Sequence, residues 1–350
     1  MAIYMASDYS LNTFGAKLCL EAAGDLVSKA IQPIQNYSLV TIADYGIADG
    51  GTSQELWQKV ITTIKNQNSD VFVEAIFSDL PSNDFNALSK SATLLMQNNQ
   101  NLLVSMVPRS FYQSICRPNS LDLGFSSTAM HWLSKLPKNL TNHTHVNACD
   151  QIEDKAIFQA QSQLDWNTIL LARSQELKSG GQLVTVNLST DEQGRFLGNN
   201  LVDFNMHDVL HEIWQQMQSE GVIRPDEYVG ATFQNYYRTQ DEFTICLQDP
   251  QSQVYQAGLR LGDIRTVLIP CPYRSEYEDN HDIDKLALGL TQTIRSWSEH
   301  TFRNALTNRT QENISEIVDQ FYQRFTALVR ENPSKFSMDY VHTHLRIYKE

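Results

Sequence analysis

Short apolar runs recur along the chain. Between them, apolar residues fall at the three- and four-residue spacing of a helix face. The runs Ser38–Ala43, Val71–Phe77, Asn101–Val107, Leu121–Phe125 and Gln182–Leu188 predict five strands. Thr13–Ala30 predicts a helix, with Leu18, Ala22, Leu26 and Ala30 on one face and Pro33 beyond its end. Ser53–Lys65 predicts another, with Leu56, Val60 and Ile64 in step. Asp84–Met96 and Ile152–Lys178 follow, the second with Gly180–Gly181 as its stop. A helix after Ser126 and Ser127 should carry Met130, His131, Trp132 and Leu133. Strands alternating with helices imply a parallel sheet covered on both faces. The later chain reads differently. Met206–Gly221, Asp282–Leu306 and Glu312–Arg330 predict helices, and Phe243–Leu247, Ile264–Ile269 and Tyr340–Tyr348 predict strands. The expected architecture is α/β: a core of residues 1–203, 243–272 and 336–350, with a mostly helical cap of 204–242 and 273–335.

The stretch Thr41–Thr52, TIADYGIADGGT, is the strongest local signal. Leu39, Val40, Ile42 and Ala43 form a buried run that ends in Asp44, followed by Gly46 and Gly50–Gly51. In an open α/β sheet, ligands bind at the carboxyl ends of the strands. Glycines let backbone approach a ligand. The loop lacks the G-x-G-x-x-G spacing of a dinucleotide site, and so suggests an adenosyl ligand or an ordinary strand–loop–helix turn. Asp79 ends the neighbouring predicted strand. One such carboxylate can accept from an amino group and the other from ribose hydroxyls; either aspartate alone serves equally as a cap or turn residue.

Composition narrows the class. Of the 350 residues 41% are hydrophobic, and the formal charge is −13. The mean hydropathy is −0.36. No basic block offsets the negative charge, which speaks against a nucleic-acid role. No stretch reaches the ~18 apolar residues of a membrane span. The N-terminus lacks the basic start and apolar segment of a secretory signal. Cys19, Cys116, Cys149, Cys246 and Cys271 are scattered and odd in number, which points to free thiols in a reducing, cytoplasmic setting.

Three blocks then carry a resemblance. D-L-P-x-N-D-F-N stands at Asp79–Asn86, V-P-x-S-F-Y at Val107–Tyr112, and S-S-x-x-x-H-W-L-S at Ser126–Ser134. Their sequence and order resemble the SABATH methyltransferases, the salicylate, benzoate and theobromine-type enzymes, in a microbial-type member. The resemblance implies a Rossmann-like core that binds S-adenosylmethionine, a helical cap, often a homodimer, and a place in secondary metabolism. It implies that Tyr9, Thr13, Asp44, Gly46, Ile47, Thr52, Asp79, Leu80, Ser110, Phe111 and Ser126 meet the cofactor. It also implies a substrate pocket at Ala16, Thr128, His131 and Trp132. His207 is expected to line that pocket from a cap helix. There are departures from the family. Thr128 replaces a frequent tyrosine, Ala16 replaces a glutamine near the substrate carboxylate, and the loop is DYGIADGGT rather than D-L-G-C-S-S-G-P-N. Ala231–Gln234 lacks the acidic residue of a metal-linked segment, so no metal is expected.

The implied chemistry is carboxyl O-methylation of a small or medium, partly apolar acid. The carboxylate is already ionised near neutrality, and the protein's task is alignment. His131 and Trp132 can position one carboxylate oxygen. Both also suit plain core packing. An N-methyltransferase acting on a heterocycle and a non-catalytic adenosyl-binding protein remain the alternatives. His207 and His211, four residues apart, lack the third ligand that a metal site needs. Arg274 is a candidate for drawing an anion, and Lys17 serves equally as a surface helix residue.

Overall fold

The structure is a computed structural model that describes residues 5–34, 37–198 and 205–350. The expected boundary between core and cap, at 203/204, lies outside the described residues. Three short helices come first: α1 (Tyr9–Asn12), α2 (Phe14–Glu21) and α3 (Gly24–Ile31). The expected single helix over 13–30 is therefore broken at Ala22–Ala23. Arg265 Nη2 donates to the Ala22 carbonyl at 2.7 Å and so caps the break.

The alternation then follows the apolar pattern: β1 (Leu39–Tyr45), α4 (Gln54–Gln67), β2 (Phe72–Asp79), α5 (Phe85–Gln97), β3 (Leu102–Pro108) and β4 (Leu121–Ser127). The Asp84 carboxylate caps α5 by accepting from the Asn86 and Ala87 N–H groups. The long helix α6 (Ile152–Glu176) runs directly into β5 (Leu177–Leu188). Gly180–Gly181 thus lies inside a strand and does not stop the helix. Gly180 has φ +80°, and a Cβ on Gly181 would stand 2.8 Å from the Leu121 carbonyl oxygen. The β4–β5 register shifts beside that contact, between Leu121 and Leu123, as a bulge does.

Two further segments differ from expectation. The residues after Ser127 form no helix. Thr128 takes a left-handed φ of 54°, and Leu133 N–H donates to Gln234 O at 2.9 Å while Tyr236 N–H donates to His131 O at 3.0 Å. The segment spends its backbone bonds on 234–236 rather than on a helical turn. Phe243–Leu247 is helical, not a strand. It belongs to α9 (Gln240–Gln248), which follows α7 (Met206–Ser219) and α8 (Pro225–Gly230). Thr239 and Glu242 form a reciprocal capping box at the start of α9, and this sets the apolar run into a helix.

The chain continues through α10 (Gln253–Gln256), β6 (Leu259–Ile269), α11 (Pro272–Asn280), α12 (Ile283–Ala305), α13 (Gln311–Glu331) and β7 (Tyr340–Lys349). One seven-stranded sheet results, in the order β3-β2-β1-β4-β5-β7-β6. Strands β1 to β5 are parallel, and β7 runs antiparallel between β5 and β6. The chain leaves β1 toward β2 and β3 on one side, then resumes at β4 on the other. That reversal opens a crevice at the carboxyl ends of β1 and β4, where ligands bind in such sheets. Leu210, Trp214, Phe302 and Phe321, from α7, α12 and α13, pack as one buried group in the principal core, with Trp214 and Phe302 rings 5.0 Å apart. Among the described residues no helix is long and apolar enough to cross a membrane.

Candidate functional site

The loop after β1 is folded over β2. Gly46 and Ile47 N–H groups both donate to Ser78 O, at 2.8 and 3.2 Å. The next turn needs left-handed backbone, with Gly46 at φ 78° and Ala48 at φ 55°. A Cβ on Gly46 would stand 2.5 Å from the Ala129 Cβ, so the loop after β1 and the loop after β4 touch where glycine alone fits.

Asp79 fastens this loop. Its Oδ2 accepts from Ala48 N–H and its Oδ1 from Leu80 N–H, each at 2.7 Å. Each oxygen keeps further acceptor capacity. Asp44 Oδ2 accepts from Trp57 Nε1–H at 2.8 Å. Burial pushes the Asp44 carboxyl up to about 7, against the Trp57 and Ser53 bonds and with a small further push from Asp79. Burial also raises Asp79, opposed by the Ala48 and Leu80 N–H groups. The site therefore holds two carboxylates whose negative charge is undercompensated, and a cationic group would relieve it.

A cavity of about 250 Å³ opens between these loops. Asp44, Gly46, Ile47 and Thr52 form one side, with Asp79 and Leu80 beside them. Ser110 and Phe111 close it from the loop after β3, and Tyr9 from α1. Thr52 Oγ1 is buried without a hydrogen-bond partner. Carboxylates, an unpaired hydroxyl and the Phe111 ring suit a ligand with an ammonium, hydroxyls and a planar ring.

A smaller chamber of about 30 Å³ adjoins it, and Tyr9, Ala16, Thr128 and Trp132 line both. His131 lines the smaller one, and so does Thr13, expected at the cofactor but absent from the larger cavity's wall. Thr13 Oγ1 donates to Tyr9 O at 2.7 Å and steadies that corner. Burial, aided by the charge of Arg238, pulls His131 down to about 3, so its imidazole is neutral at pH 7.

Two expected residues stand elsewhere. Ser126 lies behind the wall, where its Oγ donates to Tyr45 O at 2.8 Å and ties β4 to β1. His207 is fully buried beyond Tyr237. Its Nε2 lies 3.0 Å from the Tyr237 hydroxyl, and its ring stacks on His145 at 3.7 Å. Arg274 pairs with Glu278 at 2.8 Å and Lys17 with Glu55 at 2.7 Å, neither on the wall of these two cavities. Among the described residues no three His, Cys, Asp or Glu side chains gather as a metal site would need.

Other residues that shape the site carried no sequence signal. Asp49 Oδ2 accepts from Ser10 N–H and Oγ, which ties α1 to the glycine loop. The face of α6 that carries Asp165, Arg173 and Glu176 holds both irregular loops. Asp165 accepts from Ser134 N–H at 2.8 Å and Ser134 Oγ at 2.7 Å. Arg173 donates to Phe111 O and Gln113 O, each at 2.8 Å, and to Glu176 at 2.6 Å. Glu176 accepts from Ile115 and Cys116 N–H and from Tyr45 Oη–H. These charged side chains do for the loops what a sheet does for strands. Their loop partners lie 31 to 62 residues away in sequence, so spacing could not reveal them.

The chain is 31% identical over 214 residues to Methyltransferase FUS9 of Gibberella fujikuroi, covering 59% of this chain and 57% of the relative. It is 27% identical over 266 residues to the salicylate/benzoate carboxyl methyltransferase of Arabidopsis thaliana, covering 71% and 66%. The match spans about half the length of the fungal relatives. A solved structure of loganic acid methyltransferase with S-adenosylhomocysteine superposes with a TM-score of 0.77 at 19% identity, covering 100% of this chain and 99% of that one. It shares the fold. Residues 6–350 match the family described as SAM dependent carboxyl methyltransferase, and the chain belongs to that family, as the SABATH resemblance implied.

Proposed function

We propose that this protein binds S-adenosylmethionine in the larger cavity and methylates the carboxylate of a small or medium, partly apolar acid held toward the smaller chamber. The observation that carries this reading is the shared wall. Tyr9, Ala16, Thr128 and Trp132 border both spaces, so a donor in one and an acceptor held toward the other would lie side by side.

In this reading Asp44 accepts from the cofactor's ammonium and Asp79 from its ribose hydroxyls. Phe111 and Ser110 flank the adenine. When bound, S-adenosylmethionine supplies a methyl carbon already activated by its sulfonium sulfur. The acceptor carboxylate is ionised well below neutral pH, so the chain needs no general base. Its contribution is orientation. Trp132 Nε1–H can hold one carboxylate oxygen and leave the other free to attack. The aromatic faces of Tyr9, Phe111 and Trp132 favour positive charge between them. The reading also places residues 204–242 and 273–335 as a cap, and takes the protein as a cytoplasmic homodimer of secondary metabolism; the family resemblance supports the cap, the homodimer and the metabolic role, and the five free cysteines support the compartment.

Incubation with methyl-labelled S-adenosylmethionine and a panel of carboxylic acids and heterocycles tests the reaction. A base-labile labelled product marks the ester. A base-stable product from a heterocycle would replace this reading with N-methylation.

A further inference from the structure

The smaller chamber is built from rings and carries no counter-charge. Trp132, Tyr237, Trp297 and Tyr340 line it with Leu188 and Leu197. Among the described residues neither cavity has a Lys or Arg on its wall; the charged groups there are Asp44 and Asp79. Residues 1–4, 35–36 and 199–204 contain no Lys or Arg in their sequence. Arg238 lies behind the wall, with Nη1 on Met130 O and Nη2 on Ser162 O, each at 2.8 Å. The neutral His131 adds no charge. An acid entering here would bring its reacting carboxylate toward the donor's positive sulfur. A second anionic group would be buried without a partner.

The chamber does carry unused polar capacity. His131, 4% exposed, has an unpartnered Nδ1, and Asn235, 0% exposed, has both amide atoms unpartnered. Both residues line the chamber. The Asn235 amide lies beside Tyr237 and His145 but meets neither in hydrogen-bond geometry. The backbone of Asn235 bridges that of Trp132, so this amide is fixed relative to the side chain expected to hold the carboxylate. Buried polar groups left unpaired are unfavourable, and a ligand that satisfies them gains specificity from doing so.

Building on the methyl-ester reading above, we propose that the acceptor is an acid with a single negative charge whose inner end carries one uncharged hydrogen-bonding group, such as a hydroxyl or carbonyl, received by His131 and Asn235. The pairing is permissive in direction. A neutral imidazole nitrogen donates or accepts according to tautomer, and an amide offers both.

Calorimetric titration of the protein saturated with S-adenosylhomocysteine tests this. The probes are benzoate, the meta and para hydroxybenzoates, and the meta and para benzenedicarboxylates. At least one hydroxybenzoate is expected to bind about tenfold tighter than benzoate, and both dicarboxylates on the order of a hundredfold weaker. Asn235→Leu is expected to bring the hydroxybenzoate-to-benzoate ratio toward one. If that variant does not fold, the wild-type panel decides alone. Dicarboxylate binding within about threefold of benzoate overturns the proposal, as does a hydroxyl that gains nothing at either position. No acid binding while S-adenosylhomocysteine binds overturns it too and leaves the cofactor assignment standing. Failure of S-adenosylhomocysteine to bind overturns the methyltransferase reading itself, and this proposal with it.

Discussion

Asp44→Asn should make the ligand-free protein more stable and the cofactor complex weaker. Asp44 is 2% exposed, and its carboxyl is raised to about 7 by burial. In the unfolded chain it titrates at about 3.9. The sign follows from linkage. The folded state holds the proton more tightly, so ionising Asp44 costs folding free energy that grows as pH rises from about 4 to about 7. At about 1.36 kcal/mol per pK unit, the cost is on the order of 4 kcal/mol at neutral pH and under about 2 at pH 5. Asparagine removes it and still offers an oxygen to Trp57 Nε1–H. The variant's advantage over wild type in urea unfolding should therefore widen by about 2–3 kcal/mol between about pH 5 and about pH 7.5. Taking the difference between the two proteins cancels the buried histidines, which titrate in both. Binding should move the opposite way. An ammonium selects the ionised carboxylate, so wild-type affinity for S-adenosylhomocysteine should fall as pH drops below about 7, toward tenfold per unit. Asp44→Asn should bind about tenfold or more weaker at pH 7.5 and lose that pH dependence. A variant less stable than wild type at both pH values, or one that keeps the pH dependence of binding, would refute the reasoning.

Three further outcomes follow from the same geometry. Gly46→Ala forces a Cβ to 2.5 Å from Ala129 at φ 78°; it should cost at least about 1–3 kcal/mol of strain and weaken S-adenosylhomocysteine more than tenfold, and normal affinity by calorimetry would show that the loop yields. Glu176→Gln leaves Arg173 buried without its carboxylate, so thermal unfolding should show a loss of about 3–5 kcal/mol and the KM for S-adenosylmethionine should rise; an unchanged melting temperature would remove Glu176 as the anchor of the Phe111 loop. Trp132→Ala should raise the KM of the acid more than that of the cofactor, and the reverse ranking in steady-state kinetics would move Trp132 out of the acceptor site.

Much of the core was legible because β1, β2, β4 and β5 are largely buried strands whose apolar runs end in turn residues; β3, at the sheet edge, is half-buried to exposed and shows only as an apolar run. Asp44 and Asp79 could be placed at one edge from sequence because each closes such a run. The resemblance added Ser110, Phe111, His131 and Trp132, which no periodicity marks. Other features escaped for physical reasons. Phe243–Leu247 looks like a strand until Thr239 and Glu242 are read as a capping box. The His131–Trp132 segment looks helical, but the left-handed Thr128 and the pairing with 234–236 decide its path. Gly180–Gly181 reads as a helix stop, yet it accommodates a strand bulge against Leu121. His207 falls on the buried side of α7, where stacking with His145 and the Tyr237 hydroxyl occupy it. The anchoring by Asp165, Arg173 and Glu176 is long-range, and local patterns carry no trace of such contacts.

The central claim is that the crevice between β1 and β4 receives an adenosyl cofactor through Asp44, the Gly46 turn and Asp79. Calorimetric titration of the wild-type protein with S-adenosylhomocysteine, repeated on Asp79→Asn, tests it most directly. The account predicts one site per chain in the wild type and clearly weaker binding in the variant. No binding by the folded wild type, or equal affinity in the variant, would contradict it.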